Sequence, residues 1–577
     1  MGIIFFSMTD DKNRNHIKWL FKKIENRVKK LILVLIFLSF LYNATSPAYA
    51  LLYKYLVDSA SSGETDLIRL YILFFLVFIL VQSLLSAVIR RITEIETIEI
   101  DNNLKKSLLN EVFDRNYRYI SEIHSGEWMN KFTSDISIIA RNAVGILPNI
   151  ISITMQIVSA LIVLIVIEPV FVGMMLVAMI SVIVFEVFFY RGIKKLHKDV
   201  QEKDGSLRSY IQECLNSIIV IKSYAKEEKS ITDLNGFLEN YKKSRLKRNL
   251  FSVIMNFFFG TGINGALILC AAYCAYGILN KQISYGTFVA IIQIVSSIRT
   301  PLTSAYSIMP NYYSMIGSIE RIRQIEEFSI DKIDVKKDVF DFYKKRLKSI
   351  IFDGVSFEYR DDRNENQIIS DLNLRIDKGT ITGVIGPSGC GKSTLFKLLL
   401  CLYSPMKGRI YFDSIENVET ILNSSFRKLF AYVPQDNQLL RGTIRDVICF
   451  GETYDEGKMN NALFISCSND FISKLPDGVD YVLKESGSGL SEGEMQRIAI
   501  ARAIYSDHPV LLLDEATSSL NEELELQIMD NLMKMTDKTV LIITHHKNIL
   551  RYFDQTIECK EKESGYIWKI KKKQKTQ

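Results

Sequence analysis

A glycine-rich segment, GPSGCGKST, runs from Gly386 to Thr394 and has the residue types needed to hold a phosphate chain. An apolar run, Ile381 to Ile385, precedes it and a helical pattern follows it, which is the strand, loop and helix order of a phosphate-binding loop (P-loop). Its glycines let backbone N–H groups point at a β-phosphate. The residues predicted to cradle the phosphates are Gly386, Pro387, Ser388, Gly389, Cys390, Gly391, Lys392, Ser393 and Thr394. Among them, Lys392 can reach the β- and γ-phosphates and the Ser393 hydroxyl can bind Mg²⁺.

Acidic and basic groups follow this loop at the ends of further apolar runs. In VLLLDEATSSLN, Asp514 ends an apolar strand and can hold the magnesium shell, while Glu515 beside it can polarise an attacking water. His545 likewise ends an apolar run in VLIITHH. A lone Asp-Glu pair usually starts a solvated helix, but this pair follows four apolar residues, which favours catalysis.

Together with Gln435 in AYVPQDNQLL and with LSEGEMQR (Leu490 to Arg497), these segments resemble the ATP-binding cassette (ABC) family, whose motifs occur in this order. The resemblance implies that Tyr359 stacks on adenine and that Gln435 joins Ser393 and Asp514 around Mg²⁺. It also implies that His545 senses the γ-phosphate. The signature residues implied to face the γ-phosphate of a second subunit are Ser491, Gly493 and Glu494.

The chain departs from the family pattern at two motifs. The signature reads LSEGE where the family usually has LSGGQ, so Glu492 and Glu494 replace a glycine and a glutamine. An added carboxylate there either repels the γ-phosphate or, for Glu492, points into solvent. In the D-loop, Asn521 stands where the family has Asp. Because Glu515 and His545 are intact, we predict an active ATPase; reduced turnover, or a heterodimer with unequal sites, stays open.

Cysteine usage indicates neither a disulfide framework nor a metal site. Cys270 and Cys274 lie in an apolar stretch, the other cysteines lie on the predicted cytoplasmic side, and CxxC spacing is missing from the sequence. Cys390, inside the P-loop, is interpreted as a tolerated filler, with a redox switch as the alternative.

Apolar runs before residue 311 predict a membrane-spanning part. The chain has 577 residues, 48% of them apolar, and a mean hydropathy of +0.10, which is high for a soluble enzyme. About 20 residues of helix cross a hydrocarbon layer of ~30 Å. Six stretches reach that length, namely Leu31–Tyr53, Leu67–Ile89, Ala143–Ile167, Val170–Tyr190, Ile254–Leu279 and Gly286–Pro310. As core helices of a soluble protein they would leave little polar surface.

Lysine and arginine set the orientation of these stretches. They are concentrated before the first stretch and in the loops 90–141 and 191–250, so the positive-inside rule places both termini and both loops in the cytoplasm. The net charge of +6 therefore reflects membrane topology, and we predict no nucleic-acid partner. The segments His124 to Ile139 and Tyr210 to Glu228 resemble the family's intracellular loops, whose short coupling helices rest on the ATPase domains.

The predicted fold class is a multidomain membrane protein, with an all-α six-helix transmembrane domain of the ABC exporter type followed by an α/β P-loop NTPase cassette. The predicted parts are a cytoplasmic N-terminal segment (1–30), the transmembrane domain (31–311), a linker (312–347) and the cassette (348–577). Arg299, in the sixth stretch, either meets an anionic substrate or is paired internally or at the cytoplasmic side.

The predicted function is ATP-driven export by a half-transporter, with ATP and Mg²⁺ as cofactors. The protein is expected to be a multi-pass protein of the bacterial plasma membrane. Its expected partners are a second half-transporter subunit (homodimer or heterodimer), membrane lipid and an unidentified peptide, lipid or hydrophobic small molecule. The alternatives are an importer on the same fold and an ATP-gated regulator or channel subunit.

Overall fold

A computed structural model of the chain describes residues 11–45, 47–331, 338–359, 367–436, 439–484, 489–562 and 565–572. Side chains are described throughout these ranges except at 174–191, 194, 259, 263, 298–307, 309, 367, 562 and 565. The chain divides into two compact units, the first made of Met1–Leu109 and Ser125–Gln324 and the second of Asn110–His124 and Ile325–Gln577.

The first unit is helical. Its helices are Asp11–Lys23, Asn26–Ala44, Ala48–Ser62, Thr65–Asp114, Ser125–Asn130, Ile136–Ile167, Val170–Asn216, Ile218–Ser223, Glu227–Leu279 and Tyr285–Arg323, with a π-helical turn at Lys131–Asp135. Tyr285–Arg323 packs against Ile136–Ile167 and Ala48–Ser62, while Glu227–Leu279 packs against Val170–Asn216. Much of the exposed surface is apolar, as at Leu80 (70% exposed), which fits a hydrocarbon solvent better than water.

Four helical segments of the described residues are long and apolar enough to cross a membrane: Asn26–Ser62, Thr65–Asp114, Ser125–Ile167 and Glu227–Leu279. They contain the predicted first, second, third and fifth stretches. The fourth and sixth stretches lie in the helices Val170–Asn216 and Tyr285–Arg323. Some side chains of these two helices are among those that the structure does not describe. The long polar extensions of these helices explain why the predicted loops 90–141 and 191–250 carry helical patterns.

The first predicted stretch, Leu31–Tyr53, lies within one candidate span but is made of two helical pieces. The helix ends at Ala44 and a new one starts at Ala48, after Pro47, which has no N–H to continue the ladder. The second piece is held at its far end, where Asp58 accepts hydrogen bonds from Gly286 N (2.9 Å) and Ser284 Oγ (3.0 Å). Only glycine fits at Gly286, since an added Cβ would lie 2.1 Å from the Lys54 carbonyl oxygen.

An ion pair with a buried carboxylate joins two helices at the other end of this unit. Asp135 is almost fully buried and accepts hydrogen bonds from Arg321 Nε (3.0 Å) and Ser318 Oγ (2.9 Å). A buried carboxylate needs such partners to stay ionised. The contact therefore fixes the start of Ile136–Ile167 against the end of Tyr285–Arg323.

The second unit is built on β-sheets. Its strands are β1 (Leu347–Glu358), β2 (Gln367–Asp377), β3 (Ile381–Ile385), β4 (Lys407–Ser414), β5 (Glu419–Ile421), β6 (Phe430–Val433), β7 (Gly442–Thr443), β8 (Val482–Leu483), β9 (Val510–Asp514), β10 (Thr539–Ile543), β11 (Gln555–Lys562) and β12 (Gly565–Lys572). Its helices are Tyr117–Ser121, Val339–Lys345, Lys392–Leu399, Ile444–Cys449, Glu456–Ile465, Asn469–Ile472, Glu492–Tyr505 and Glu522–Met533.

The central sheet has the order β12-β11-β3-β10-β9-β6 and a second sheet has the order β2-β1-β4-β5. Neighbouring strands from β11 to β6 are parallel, and β12 alone among them runs antiparallel. The parallel strands β9 and β10 are buried along their whole length, as their continuous apolar runs predict. Because parallel strands end at one edge of a sheet, the residues that follow β3, β9 and β10 are brought together there.

The segment Asn110–His124 is part of this unit. Asn116 N donates to Ser329 O (2.9 Å) and Asp331 N donates to Asp114 O (2.8 Å). Its short helix Tyr117–Ser121 contacts Tyr403, with the two hydroxyl oxygens of Ser121 and Tyr403 3.1 Å apart. A short helix from the first predicted cytoplasmic loop therefore lies on the cassette.

Candidate active site

The P-loop connects β3 to the helix Lys392–Leu399 and is shaped by two glycines. Gly389 and Gly391 have φ of +82° and +94°, in the left-handed region that side chains rarely adopt. At Gly391 an added Cβ would also lie 2.7 Å from the Ile368 side chain. Lys392 Nζ donates to the carbonyl oxygens of Gly386 and Pro387, both at 3.0 Å, so its ammonium lies inside the loop where a phosphate chain would need it.

Ser393 and Asp514, predicted to share Mg²⁺, lie side by side. Ser393 Oγ donates to Asp514 Oδ1 at 3.1 Å, and the hydroxyl of Tyr432 on β6 donates to Oδ2 at 3.1 Å. Burial raises the pKa of Asp514, and the two hydroxyl donors act in the opposite direction. The pKa of Tyr432 is raised by burial and by the Asp514 carboxylate, so it remains a donor. A hydroxyl and a carboxylate are the oxygen ligands that Mg²⁺ prefers.

Glu515 lies between the other two polar groups of this sheet edge. Gln435 Nε2 donates to Glu515 Oε2 at 2.9 Å, and His545 Nε2 lies 3.0 Å from Glu515 Oε1. Glu515 has φ of +49°, a conformation that is strained for a non-glycine residue and that occurs preferentially at functional sites. Gln435 therefore contacts the predicted base, and its predicted place beside Ser393 and Asp514 stays a prediction for the metal-bound state.

A second polar cluster involves His546, the residue after His545. His546 Nδ1 lies 2.8 Å from Glu525 Oε2, and Thr517 Oγ1 donates to Glu525 Oε1 at 2.7 Å. Glu525 is 1% exposed, so these contacts satisfy a buried carboxylate. Through it, the segment after β9 and the segment after β10 are connected.

Tyr359, predicted to stack on adenine, follows β1 and lies beside the P-loop. Its hydroxyl oxygen is 3.2 Å from Thr394 Oγ1, and its ring meets the ring of Tyr403 edge-on at 5.2 Å. Burial raises the pKa of Tyr359. Tyr403 also contacts Tyr117 of the segment Asn110–His124, with ring centroids 5.9 Å apart. The aromatic group beside the P-loop thus continues into the short helix Tyr117–Ser121.

The signature residues Ser491, Gly493 and Glu494 contact one another and the D-loop, the segment that ends at Asn521. Ser491 caps the helix Glu492–Tyr505: its N donates to Glu494 Oε2 at 2.8 Å and its Oγ accepts from Glu494 N at 3.3 Å, which forms a capping box. Gly493 packs on the D-loop, where an added Cβ would lie 3.1 Å from Ser519 O. The carboxylate of Glu494 therefore sits at the start of this helix, the place where the resemblance implies a γ-phosphate.

Three other residues were singled out in the sequence: Glu492, Asn521 and Arg299. Glu492 is exposed in the single chain, and both of its alternatives stay predictions for the dimer. Asn521 accepts a hydrogen bond from Leu524 N (2.9 Å) and caps Glu522–Met533, a position that Asp and Asn fill equally well. The side chain of Arg299 lies outside the described residues.

Sequence reasoning missed Tyr432 and Glu525. Tyr432 lies on β6, three positions before Gln435. It is paired with Leu512 of β9, and this pairing places its hydroxyl next to Asp514. An apolar strand with a single tyrosine next to a motif residue was the available signal. Glu525 carries no local signal, because it looks like an ordinary acidic residue in the first turn of a helix.

Two family models match the chain, "ABC transporter transmembrane region" at residues 32–302 and "ABC transporter" at residues 369–518. The chain belongs to the ABC transporter family. It is therefore an integral membrane protein with an ATP-binding cassette, and its fold class is confirmed.

Curated relatives and a solved structure agree with this family. "ABC transporter B family member 1" of Dictyostelium discoideum is 30% identical over 458 residues, 77% of this chain and 48% of the relative. The "Lactococcin-G-processing and transport ATP-binding protein LagD" of Lactococcus lactis is 31% identical over 376 residues, 64% of this chain and 52% of the relative. The chain thus spans about half the length of these two relatives. A bacterial Atm1-family ABC exporter with ATP bound has the same fold, with a TM-score of 0.76 at 22% identity, covering 92% of this chain and 94% of that chain.

Proposed function

We propose that this chain is a half-transporter that exports a substrate from the cytoplasm with energy from ATP hydrolysis. The observation that carries the proposal is the position of Glu515. Its carboxylate follows a buried strand, is oriented by Gln435 and His545, and belongs to the same sheet edge as the P-loop and Asp514. This is the arrangement of a general base that polarises water for attack on a γ-phosphate.

Lys392 and the N–H groups of the P-loop would bind the triphosphate of ATP, and Tyr359 would stack on its adenine. Ser393 and Asp514 would hold Mg²⁺, which neutralises charge on the phosphate oxygens. The donor set fits this group, because it combines an ammonium, loop glycines with positive φ and a hydroxyl–carboxylate pair. His545 would hold Glu515 in place and contact the γ-phosphate.

We further propose that two such subunits work as a dimer, either two copies of this chain or this chain and a second half-transporter. Ser491 and Gly493 of one subunit would close over the ATP of the other. ATP shifts the subunits towards the associated state only because it binds that state better. The helices that contain the predicted spans would then change the access of a central cavity. Outward transport is favoured by the Atm1-family exporter of the same fold.

Flux in sealed vesicles tests the proposal. The purified chain, reconstituted with its cassettes outside, is given Mg·ATP and three fluorescent probes, an amphipathic cation, an amphipathic peptide and a phospholipid analogue. We expect ATP-dependent accumulation of one probe inside, and ATP hydrolysis about 10²- to 10⁴-fold lower in Glu515→Gln with ATP binding retained. Glu452→Gln, which changes an exposed carboxylate outside the site, is the matched control.

The other outcomes separate the alternatives. ATP-dependent loss of a preloaded probe would identify an importer, and hydrolysis without any flux would identify a regulator. Hydrolysis that survives Glu515→Gln would contradict the assignment of the base.

A further inference from the structure

Two cysteines from distant parts of the sequence meet at the P-loop. Strand β11 pairs with β3 in parallel, with Glu558 opposite Ile385 at the last pair of the ladder. Cys559 follows directly and lies beside the residue that opens the P-loop. An added Cβ at Gly386 would lie 2.7 Å from Cys559 Cβ and 2.9 Å from Cys390 Sγ. The absence of a side chain at Gly386 therefore allows both cysteines to approach the same point.

The thiols of Cys390 and Cys559 are both buried and lie next to each other at Gly386. Cys559 Sγ also lies 4.0 Å from the carbonyl oxygen of Cys390, although the two residues are 169 positions apart in the sequence. Both residues belong to the second unit, and neither forms a disulfide. This contact changes the interpretation of Cys390, which from the sequence looked like a filler.

The surroundings make Cys390 the more reactive of the two. The hydrogen bond from the Cys559 thiol, assisted by the Lys392 ammonium, lowers the pKa of Cys390 to about 7 against the opposing effect of burial. The same pairing raises the pKa of Cys559. By contrast, burial raises the pKa of Cys401 to about 12 and also raises that of Cys467. A thiolate is the nucleophile in thiol oxidation, so within the pair Cys390 is the thiol that should attack an oxidant.

We propose that Cys390 and Cys559 form an oxidation-sensitive pair that a hydroperoxide converts into a disulfide, closing the nucleotide site. The Cys390 thiolate attacks hydrogen peroxide, which gives a sulfenic acid and hydroxide. The Cys559 thiol then attacks the sulfenic sulfur, forming the S–S bond and releasing water. A small dithiol reverses the reaction. Disulfides on the cytoplasmic side of a membrane usually have such a transient, sensing role.

The disulfide would act on ATP binding through the backbone of the loop. Cys390 lies between Gly389 and Gly391, whose backbones lack a Cβ and can adopt conformations that other residues rarely reach. A bond to β11 would remove that freedom two residues before Lys392, whose ammonium now contacts the loop carbonyls. If one loop conformation in about ten stays competent, the apparent affinity for ATP falls about tenfold. This inference rests on the proposed ATP site, while formation of the bond itself does not.

The test uses the purified full-length chain in detergent. Samples are treated with hydrogen peroxide, alkylated and digested, and the Cys390–Cys559 cross-linked peptide is measured by mass spectrometry. Binding of a fluorescent ATP analogue is measured on the same samples before and after dithiothreitol. We expect the cross-link to appear together with an affinity loss of about tenfold or more, and dithiothreitol to reverse both.

Cys559→Val is the decisive variant. Its reduced form should bind the analogue like the parent chain, and peroxide should give neither the cross-link nor a loss that dithiothreitol reverses. Cys559→Ser repeats the test if the valine variant fails to fold, and Cys467→Ser is the matched control that should respond like the parent. A reversible loss of equal size in Cys559→Val, or a cross-link without any change in binding, would overturn the inference. If the reduced parent chain binds no ATP analogue, the proposed function fails, whereas absence of the cross-link defeats the cysteine pair alone.

Discussion

Replacing Tyr432 with phenylalanine tests whether its hydroxyl positions Asp514. The exchange keeps the ring, which meets Phe396 edge-on at 6.4 Å, and removes the 3.1 Å hydrogen bond to Asp514 Oδ2. Asp514 is 2% exposed, so water cannot easily replace the lost donor, while Ser393 still holds Oδ1. A hydrogen bond to a charged group is worth about 1.5–3 kcal/mol, so the loss of affinity for Mg·ATP should be measurable and at most roughly 150-fold.

The assay is a Mg²⁺ titration of ATP binding and hydrolysis at several pH values. Burial already raises the pKa of Asp514, and losing a donor that stabilises its carboxylate raises that pKa further. Because Mg²⁺ binds the ionised form, binding in Tyr432→Phe should be lost at a higher pH than in the parent as the pH falls. Tyr343→Phe, which removes a buried 2.9 Å contact with Thr539, is the control that should lower stability without changing the Mg²⁺ dependence. Equal Mg²⁺ requirements in parent and Tyr432→Phe would refute the reasoning.

Three further outcomes are expected. Tyr359→Ala should weaken ATP binding by about 1–3 kcal/mol in calorimetry while Tyr359→Phe should not, and an equal loss in both would attribute the effect to the hydroxyl instead of the ring. His546→Ala leaves the buried Glu525 with one partner fewer and should lower the free energy of unfolding in denaturant by about 1–3 kcal/mol. His546→Arg should restore most of this loss. Identical unfolding curves for the parent chain and both variants would show that the His546–Glu525 contact does not stabilise the fold. Glu494→Gln keeps a capping box but removes the carboxylate, so ATP-dependent subunit association should strengthen by about 1 kcal/mol, and an unchanged ATP dependence of cross-linking would show that the charge does not matter.

Local sequence patterns were sufficient for the fold class. The run Ile381 to Ile385 is strand β3, and the P-loop after it leads into the helix Lys392–Leu399. Asp514 is the last residue of β9. The strands could be predicted because buried parallel strands consist of continuous apolar residues. The apolar stretches lie in helices because a backbone without water must satisfy its own hydrogen bonds. Proline was the exception, since Pro47 divides a stretch whose hydropathy looked continuous.

Contacts between distant segments could not be read in this way. The pairing of Tyr432 with Asp514 and that of His546 with Glu525 depend on strand order and register, to which each residue's own neighbours in the sequence contribute nothing. The same holds for the contact of the helix Tyr117–Ser121 with Tyr403.

The amino-acid sequence thus determined the family, the apolar helices and the order of the nucleotide motifs, because periodicity and glycine spacing act over a few residues. Tertiary structure decided which side chains meet at the sheet edge, and above all that Cys559 lies against Cys390. The physical reason is that β11 pairs with β3 in the sheet. This strand order places Cys559, a residue near the end of the sequence, next to the P-loop.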